Sequence, residues 1–298
     1  MTFGITGNLE KPEIIEVLRA LLAQLSQAKV RCVMDEGLAR LAKRRGVTVD
    51  GTKCRVVKRD KVPPAVDILL TLGGDGTILR VARIVGKHQT PILGINLGKL
   101  GFLAEVSVAE MTQCLEEVIA GSYVVEDRMM LLATAKRTRK TYTALNDIVV
   151  EKHGTSRMVS FAAFVNHEYV ATYAADGIIL SSPTGSTAYS LANGGPILHP
   201  ADKVIAISPI CPHTLTARPI IVTDDSQITI RIEEAPHRVR VTADGQMEEL
   251  LRPPVEVTIQ RAPFVARLVK RLNTSYYDVL RKKLNWGSDI RFGPQEIR

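Results

Sequence analysis

The first third of the chain alternates two hydrophobic periods. Residues 11–30, KPEIIEVLRALLAQLSQAKV, place Ile14, Ile15, Leu18, Leu21, Leu22 and Leu25 at helical spacing, with Pro12 suited to the first turn. EGLARLAKRR (36–45) predicts a second helix. SVAEMTQCLEEVIAG (107–121) predicts another, closed by Gly121. Short apolar runs lie among them: FGITGN (3–8), RCVM (31–34), AVDILLTL (65–72) and TPILGIN (90–96). The third of these has no polar alternation, as expected of a strand covered on both faces. Strands alternating with helices predict a parallel sheet flanked by helices.

After about residue 122 the texture changes. YVVEDRMMLLATAKR, KTYTALNDIVVEK, RMVSFAAFVN, EYVATYAADGIILSS, KVIAISPI, PIIVTDDSQITIRIEE, RVRVTADGQ and PVEVTIQRA are short runs rich in Val, Ile, Thr and Tyr, separated by turn residues. That pattern predicts an antiparallel sandwich or barrel-like domain. TSYYDVLRKKLNW (274–286) turns helical again. The expected division is an α/β domain over 1–121 and an all-β domain over 122–273, with the tail 274–298 returning to the first.

Composition narrows the classes. The 298 residues are 45% hydrophobic and 23% charged, ordinary values for a globular chain with a sizeable core. No run approaches the roughly eighteen apolar residues of a membrane span. The opening MTFGITGNLEKPEII lacks a basic stretch followed by an apolar one, so no secretory signal is expected. Cys32, Cys54, Cys114 and Cys211 are widely spaced in sequence, form no CxxC pair and suggest no zinc site. Read as scattered single thiols, they fit a reducing, cytoplasmic setting. Net charge is +8, which suits nucleic acid or small anionic substrates. The basic runs KRR (43–45), KRTRK (136–140) and RKK (281–283) are short and not interleaved with aromatics, so they read as solvated surface. None of the six histidines forms an HExxH pair, and only His213, ahead of Arg218–Pro219, is kept as support for a site.

The chemistry begins at LLTLGGDGTIL (69–79). In an open parallel sheet, ligands sit at the carboxyl ends of strands. A glycine-rich turn there lets backbone N–H groups approach a phosphate. The lysine of a Walker A loop is missing, and an acid, Asp75, stands among Gly73, Gly74 and Gly76. An acid beside phosphates suits phosphoryl transfer, where a carboxylate accepts the proton of an attacking hydroxyl.

A second stretch, ADGIILSSPTGSTAYSLANGGPILHP (175–200), runs from a strand into Ser181, Ser182, Thr184, Ser186 and Thr187. So many hydroxyls in a narrow space suit the base edge, ribose and pyrophosphate of a nucleotide. Asp176 at the strand entry is a candidate ribose or base partner. A third stretch, ALNDIVVEK (144–152), offers Asn146 and Asp147, an amide and a carboxylate able to hold ribose hydroxyls or an adenine edge.

Taken together, GGDGTILR, NLGKLGFL, NDIVVEK, DGIILSSPTGSTAYSLANGGPILHP, HTLTARPIIV and ADGQ resemble the NAD kinase family, in that family's order. The GGDGT turn is shared with phosphofructokinases and diacylglycerol-type lipid kinases; PTGSTAY with ND and RP is far more specific. The resemblance implies a Rossmann-like N-terminal domain and a C-terminal β-sandwich. It implies transfer of the terminal phosphate of ATP, or of polyphosphate, to the 2′-hydroxyl of the adenosine ribose of NAD. Asp75 would accept that hydroxyl's proton, with Gly73, Gly74, Gly76, Thr77 and Arg80 around the phosphates. Asn146 and Asp147 would hold the dinucleotide. Thr184, Thr187, Ala188, Tyr189 and Ser190 would line its adenine and ribose pocket, beside Phe102. Arg157, Ala174, Asp176 and Gln246 complete the expected contacts. Mg²⁺ would travel with ATP rather than on protein side chains, and the assembly would be a homodimer or homotetramer, with no nucleic acid or membrane partner.

Two positions depart from the family pattern. Ser182 stands where threonine is more usual and keeps the hydroxyl. Ala174 stands where many bacterial members carry arginine, which leaves NAD against NADH open. The competing readings are a lipid or sugar kinase sharing the glycine turn, and a non-enzymatic dinucleotide-sensing regulator.

Overall fold

The structure is a computed structural model that describes residues 1–98, 101–104, 106–154, 158–272, 275–286, 288–289 and 293–294. The chain forms two compact units, one of Met1–Glu126 with the chain from Arg267 onward, the other of Asp127–Ala266.

The first unit contains strands β1 (Thr2–Gly7), β2 (Arg31–Asp35), β3 (Cys54–Val57), β4 (Ile68–Leu72), β5 (Ile92–Asn96) and β6 (Val106–Ser107). Its helices are α1 (Ile14–Gln27), α2 (Glu36–Arg44), α3 (Asp75–Val85) and α4 (Met111–Ile119). Helix α1 buries Ile14, Val17, Leu18, Leu21 and Leu25, the face its spacing predicts. Helix α2 starts where it does because buried Asp35 accepts the N–H groups of Gly37 and Leu38. The same carboxylate accepts the Thr6 hydroxyl at 2.8 Å, tying β2 to β1.

Within this unit, β3, β2, β1, β4 and β5 lie side by side in that order, and each neighbouring pair is parallel. The chain winds outward from β1 in one direction through β2 and β3, then in the other through β4 and β5. The direction therefore reverses between β1 and β4, where the Asn8 N–H donates to Leu72 O at 2.8 Å. Ligand crevices of open α/β sheets form at such a reversal, outside the carboxyl ends of the strands.

Two expectations are corrected here. The cysteines are not all separate: Cys32 and Cys54 face each other across β2 and β3, Cα atoms 4.5 Å apart, and are joined as a disulfide. Sequence separation hid the pairing because both lie on adjacent parallel strands. Cys114 is free and buried, and Cys211 is free and exposed. The second correction is that Asp75 is not within a loop but is the first residue of α3, which follows β4 after only two glycines.

The second unit holds β7 (Val124–Ala135, from Asp127 on), β8 (Thr141–Ala144), β9 (Asp147–Lys152), β10 (Val159–Val165), β11 (Glu168–Ala175), β12 (Gly177–Ser181), the short helix α5 (Tyr189–Ala192), β13 (Val204–Ile210), β14 (Ile220–Thr223), β15 (Ile228–Ile232), β16 (Val239–Ala243), β17 (Met247–Leu251) and β18 (Val255–Lys270, to Ala266). One antiparallel sheet runs β14-β13-β12-β9-β16-β17. A second runs β11-β10-β15-β18, with β7 beside β18 and β8 beside β7. Alternate residues of both sheets, among them Ile148, Ile178 and Val241 of the first and Phe161, Ile230 and Val257 of the second, share one core. That is the layout of a β-sandwich.

The pairing of β9 positions the site. It lies between β12 and β16, with Asp147 opposite Ser181 and Ile148 opposite Ala243. Three segments far apart in sequence therefore meet at one end of one sheet: the turn entering β9, the hydroxyl loop leaving β12 and the turn leaving β16.

Candidate active site

In the first unit, the glycine turn leads from β4 straight into α3. Gly73 N–H donates to Ile95 O at 2.9 Å, which pins the turn to the end of β5. Asp75 in the first helical turn is partly exposed. Its carboxylate accepts N–H groups of Phe102 (2.7 Å), Leu103 (3.1 Å) and Ala104 (3.0 Å). Thr77 is buried and Arg80 is partly buried. A helix N-terminus favours anions, which is the general setting of this turn and its acid.

In the second unit, a cavity of about 460 Å³ opens at the end of the β9 sheet. Asn146, Asp147, Ala188, Tyr189, Arg240 and Glu248 are among its walls. Asp147 is only 5% exposed. Burial, and secondarily the neighbouring Asp244 carboxylate, push its pKa up to about 7. Burial also raises the Tyr189 phenol above its ordinary range, aided by Glu151 among other nearby acids.

The hydroxyl loop is not the open bed of donors that its composition suggests. It forms a 3₁₀ turn over Thr184–Thr187 followed by α5, and most of its hydroxyls bind the loop itself. Ser182 Oγ donates to Leu145 O at 2.5 Å, and Ser181 Oγ to Ser182 O at 2.9 Å. Ser186 Oγ donates to Pro183 O and accepts the Leu198 N–H. Thr187 Oγ1 donates to Thr184 O. Two hydroxyls of this loop, Thr184 Oγ1 and Ser190 Oγ, are buried without a hydrogen-bond partner among the described residues. A buried hydroxyl is costly unless a water or a ligand supplies its partner.

The remaining expected residues scatter more widely. Asp176 lies between β11 and β12 in an ion pair with Lys152 Nζ at 2.5 Å. Ala174 sits on β11, its carbonyl accepting the N–H of His213. Gln246 is exposed in the turn after β16. Phe102 is partly exposed in the loop that holds Asp75. Arg157 lies outside the described residues. Among the described residues no group of three or more His, Cys, Asp or Glu is arranged to hold a metal.

Sequence reasoning missed Asp244, whose carboxylate accepts the N–H groups of Leu145, Asn146 and Asp147. The signal was in ADGQ, which entered only as part of the family resemblance and through Gln246; an Asp-Gly pair after a strand also marks a tight turn. Gly185, a residue whose missing side chain permits a close backbone approach, lies against the Asn146 backbone so tightly that a Cβ there would be 2.2 Å from Asn146 O.

An acid at the start of a helix, directly after a glycine turn at a sheet reversal, carried on the same chain as a cavity walled by an amide, carboxylates and a phenol, defines a nucleotide-handling phosphotransferase. Known proteins similar to this chain agree. The ATP-NAD kinase N-terminal domain profile matches residues 3–123, and the ATP-NAD kinase C-terminal domain profile matches residues 145–271. An NAD kinase of Moorella thermoacetica is 41% identical over 286 residues, covering 95% of this chain and 89% of the relative. An NAD kinase of Geotalea daltonii is 45% identical over 233 residues, covering 77% and 82%. The crystal structure of yeast NADH kinase complexed with NADH superposes with a TM-score of 0.88 at 27% identity, covering 98% of this chain and 89% of that one. An NAD kinase from Archaeoglobus fulgidus in complex with ATP shares the fold, with a TM-score of 0.74 at 22% identity over 96% and 99% of the two chains. The chain belongs to the NAD kinase family.

Proposed function

We propose that this protein transfers the terminal phosphate of ATP to the 2′-hydroxyl of the adenosine ribose of NAD, yielding NADP and ADP. The observation that carries the reading is the cavity walled by Asn146, Asp147 and Tyr189. An amide, a carboxylate and an aromatic ring in one recess are what a ribose and a base need. Family membership supports the same reaction and disfavours the lipid-kinase, sugar-kinase and regulator readings.

In this reaction a bond forms between the 2′-oxygen and the γ-phosphorus while the bond from that phosphorus to the β,γ-bridging oxygen breaks. The 2′-hydroxyl proton passes to Asp75. A carboxylate has about four acceptor positions, and three N–H groups occupy Asp75, so one remains for the hydroxyl. Asn146 and Asp147 hold ribose hydroxyls. Thr184 and Ser190 offer their unpaired hydroxyls to the nucleotide, with Thr187, Ala188 and Tyr189 beside it. The glycine turn, with Thr77 and Arg80, receives the donor's phosphates at the start of α3. Phe102, Arg157, Ala174, Asp176 and Gln246 complete the ligand contacts in this reading. A divalent cation such as Mg²⁺ arrives on the donor and neutralises phosphate charge. The protein acts in the cytoplasm as a homodimer or homotetramer. Most of the rate comes from alignment, which supplies on the order of 7–11 kcal/mol in well-oriented systems; proton removal adds a factor of about 10² to 10⁴.

The test is NADP formation by the purified protein with NAD and Mg²⁺, with ATP and polyphosphate in parallel and NADH as the alternative acceptor. Phosphorylation of NAD by ATP is expected. Absence of any phosphorylated dinucleotide with either donor and either acceptor would overturn the reading.

A further inference from the structure

We propose that Asp244 is a positioning residue for the dinucleotide: its carboxylate presets the Asn146–Asp147 turn, so that both side chains meet the ligand already arranged. The inference rests on the reading that this cavity takes a dinucleotide.

All six backbone polar atoms of residues 145–147 are engaged. Asp244 Oδ2 accepts the N–H of Leu145 at 3.1 Å. Asp244 Oδ1 accepts the N–H of Asn146 at 2.8 Å and of Asp147 at 3.3 Å. The Asp244 N–H returns to Asp147 O at 3.0 Å. From the other side, Ser182 Oγ donates to Leu145 O and the Ser182 N–H donates to Asn146 O at 2.8 Å. The backbone is thus held between two strands' ends, while the Asn146 and Asp147 side chains make no hydrogen bond to any described residue. A turn whose backbone is fixed and whose side chains are free is preorganised for a ligand.

The residue type matters. Three N–H donors converge on two oxygens, and only a carboxylate accepts on both. Such bonds are charge-assisted and stronger than neutral ones. An amide at 244 would turn an NH₂ toward one donor. A mere hairpin corner would need none of this: Asp244 has φ +51° and Gly245 φ +62°, a conformation that Asn or Gly adopts as readily as Asp.

That equivalence supplies the test. Asp244→Gly and Asp244→Asn both suit the turn, so the fold is expected to survive, checked by circular dichroism and melting temperature. NAD and ATP dependence are measured at pH 8, with NAD binding followed separately by calorimetry. For Asp244→Gly the expected result is a KM and Kd for NAD raised tenfold or more, with KM for ATP within twofold of the wild type and kcat less affected. For Asp244→Asn a smaller rise, at least threefold, is expected, a partial rescue by the one oxygen retained. Wild-type KM and Kd for NAD in a folded Asp244→Gly protein would overturn the proposal. If that variant does not fold, Asp244→Asn decides alone, and an unchanged NAD KM overturns it. A wild-type protein that neither binds nor phosphorylates NAD would instead show that the reading of the cavity is wrong.

Discussion

The carboxylate of Asp75 accepts the backbone N–H of Phe102 at 2.7 Å, and those of Leu103 and Ala104 at 3.1 and 3.0 Å. The loop can come this close because residue 101 is glycine: a Cβ there would lie 1.8 Å from Asp75 Oδ1. The acid and the loop are therefore one unit, and the acid can be disturbed without being changed. Gly101→Ala is expected to lower kcat tenfold or more with Asp75 intact. Asp75→Asn is expected to lower it at least a hundredfold while NAD binding stays near wild type, within the usual range for loss of a general base. Initial rates of NADP formation check both. Wild-type turnover by Gly101→Ala would uncouple the loop from catalysis, and wild-type turnover by Asp75→Asn would remove the acid from its role.

Asp147 makes stability and binding respond to pH in opposite directions. Its pKa is pushed up to about 7, by burial first and by Asp244 second. The other charged groups around its cavity are Glu151, Glu248 and Arg240, with the Tyr189 phenol at the edge. In the unfolded chain an aspartate releases its proton near pH 3.9. Between about pH 4 and 7 the folded form thus holds a proton that the unfolded form has lost, so this group's contribution makes stability fall as pH rises. Ribose hydroxyls, however, donate to the ionised carboxylate. kcat/KM for NAD should be level above about pH 7 and fall toward tenfold per unit below it. Melting curves without ligand and kcat/KM profiles from pH 5.5 to 8.5 test this, and Asp147→Asn should flatten both trends. A wild-type kcat/KM that stays level down to pH 5.5 would mean that Asp147 does not bind in its ionised form.

Much of this was legible in the sequence, for reasons that can be named. The α1 face of Leu18, Leu21 and Leu25 and the β4 run without polar alternation, buried at every position, follow directly from burial on one face or two. β3, with only Cys54 buried and Arg55 and Val56 exposed, carries too little pattern over four residues to be seen. KTYTALNDIVVEK and EYVATYAADGIILSS each read as one run, but the first breaks at Leu145–Asn146 and the second at Asp176. Those breaks carry polar residues, Asn146 at the cavity and Asp176 in its ion pair with Lys152. Types of site residue were legible because amides, acids and hydroxyls announce their chemistry. Which hydroxyls are free was not, since Ser186 bonds Leu198 twelve residues on, and Asp244 reaches Leu145 across 99 positions.

The unpaired Thr184 hydroxyl sets stability against binding. Its Oγ1 is buried with no partner in the described residues. Such a group costs about 1–3 kcal/mol when unsatisfied. Valine has the same shape without the hydroxyl. Thr184→Val is therefore expected to raise the melting temperature of the ligand-free protein by a few degrees while raising KM for NAD. Calorimetry and steady-state kinetics on the same preparation read both. A lower melting temperature with an unchanged KM would show that the hydroxyl is satisfied within the fold and does not meet the nucleotide.

Gly185 and Ser186 are adjacent in the same turn, yet their replacements should differ in their effect on dinucleotide binding. A Cβ on Gly185 would meet Asn146 O at 2.2 Å, Asn146 C at 2.5 Å and Asn146 Cα at 2.6 Å. These are backbone atoms, so no flexible side chain can give way. The strain displaces the Asn146 turn, at a cost of about 1–3 kcal/mol for an overpacked interior. Ser186 instead bonds only its own loop and Leu198. Ser186→Ala leaves the Leu198 N–H without that acceptor, a loss of about the same size, yet it moves no group that lines the cavity. Gly185→Ala should thus lower the melting temperature and raise KM for NAD at least tenfold. Ser186→Ala should lower the melting temperature by a comparable amount with KM for NAD within twofold of wild type. Two equally destabilised proteins with the same KM would mean that the Gly185–Asn146 contact carries stability alone, and that the dinucleotide does not depend on where Asn146 points.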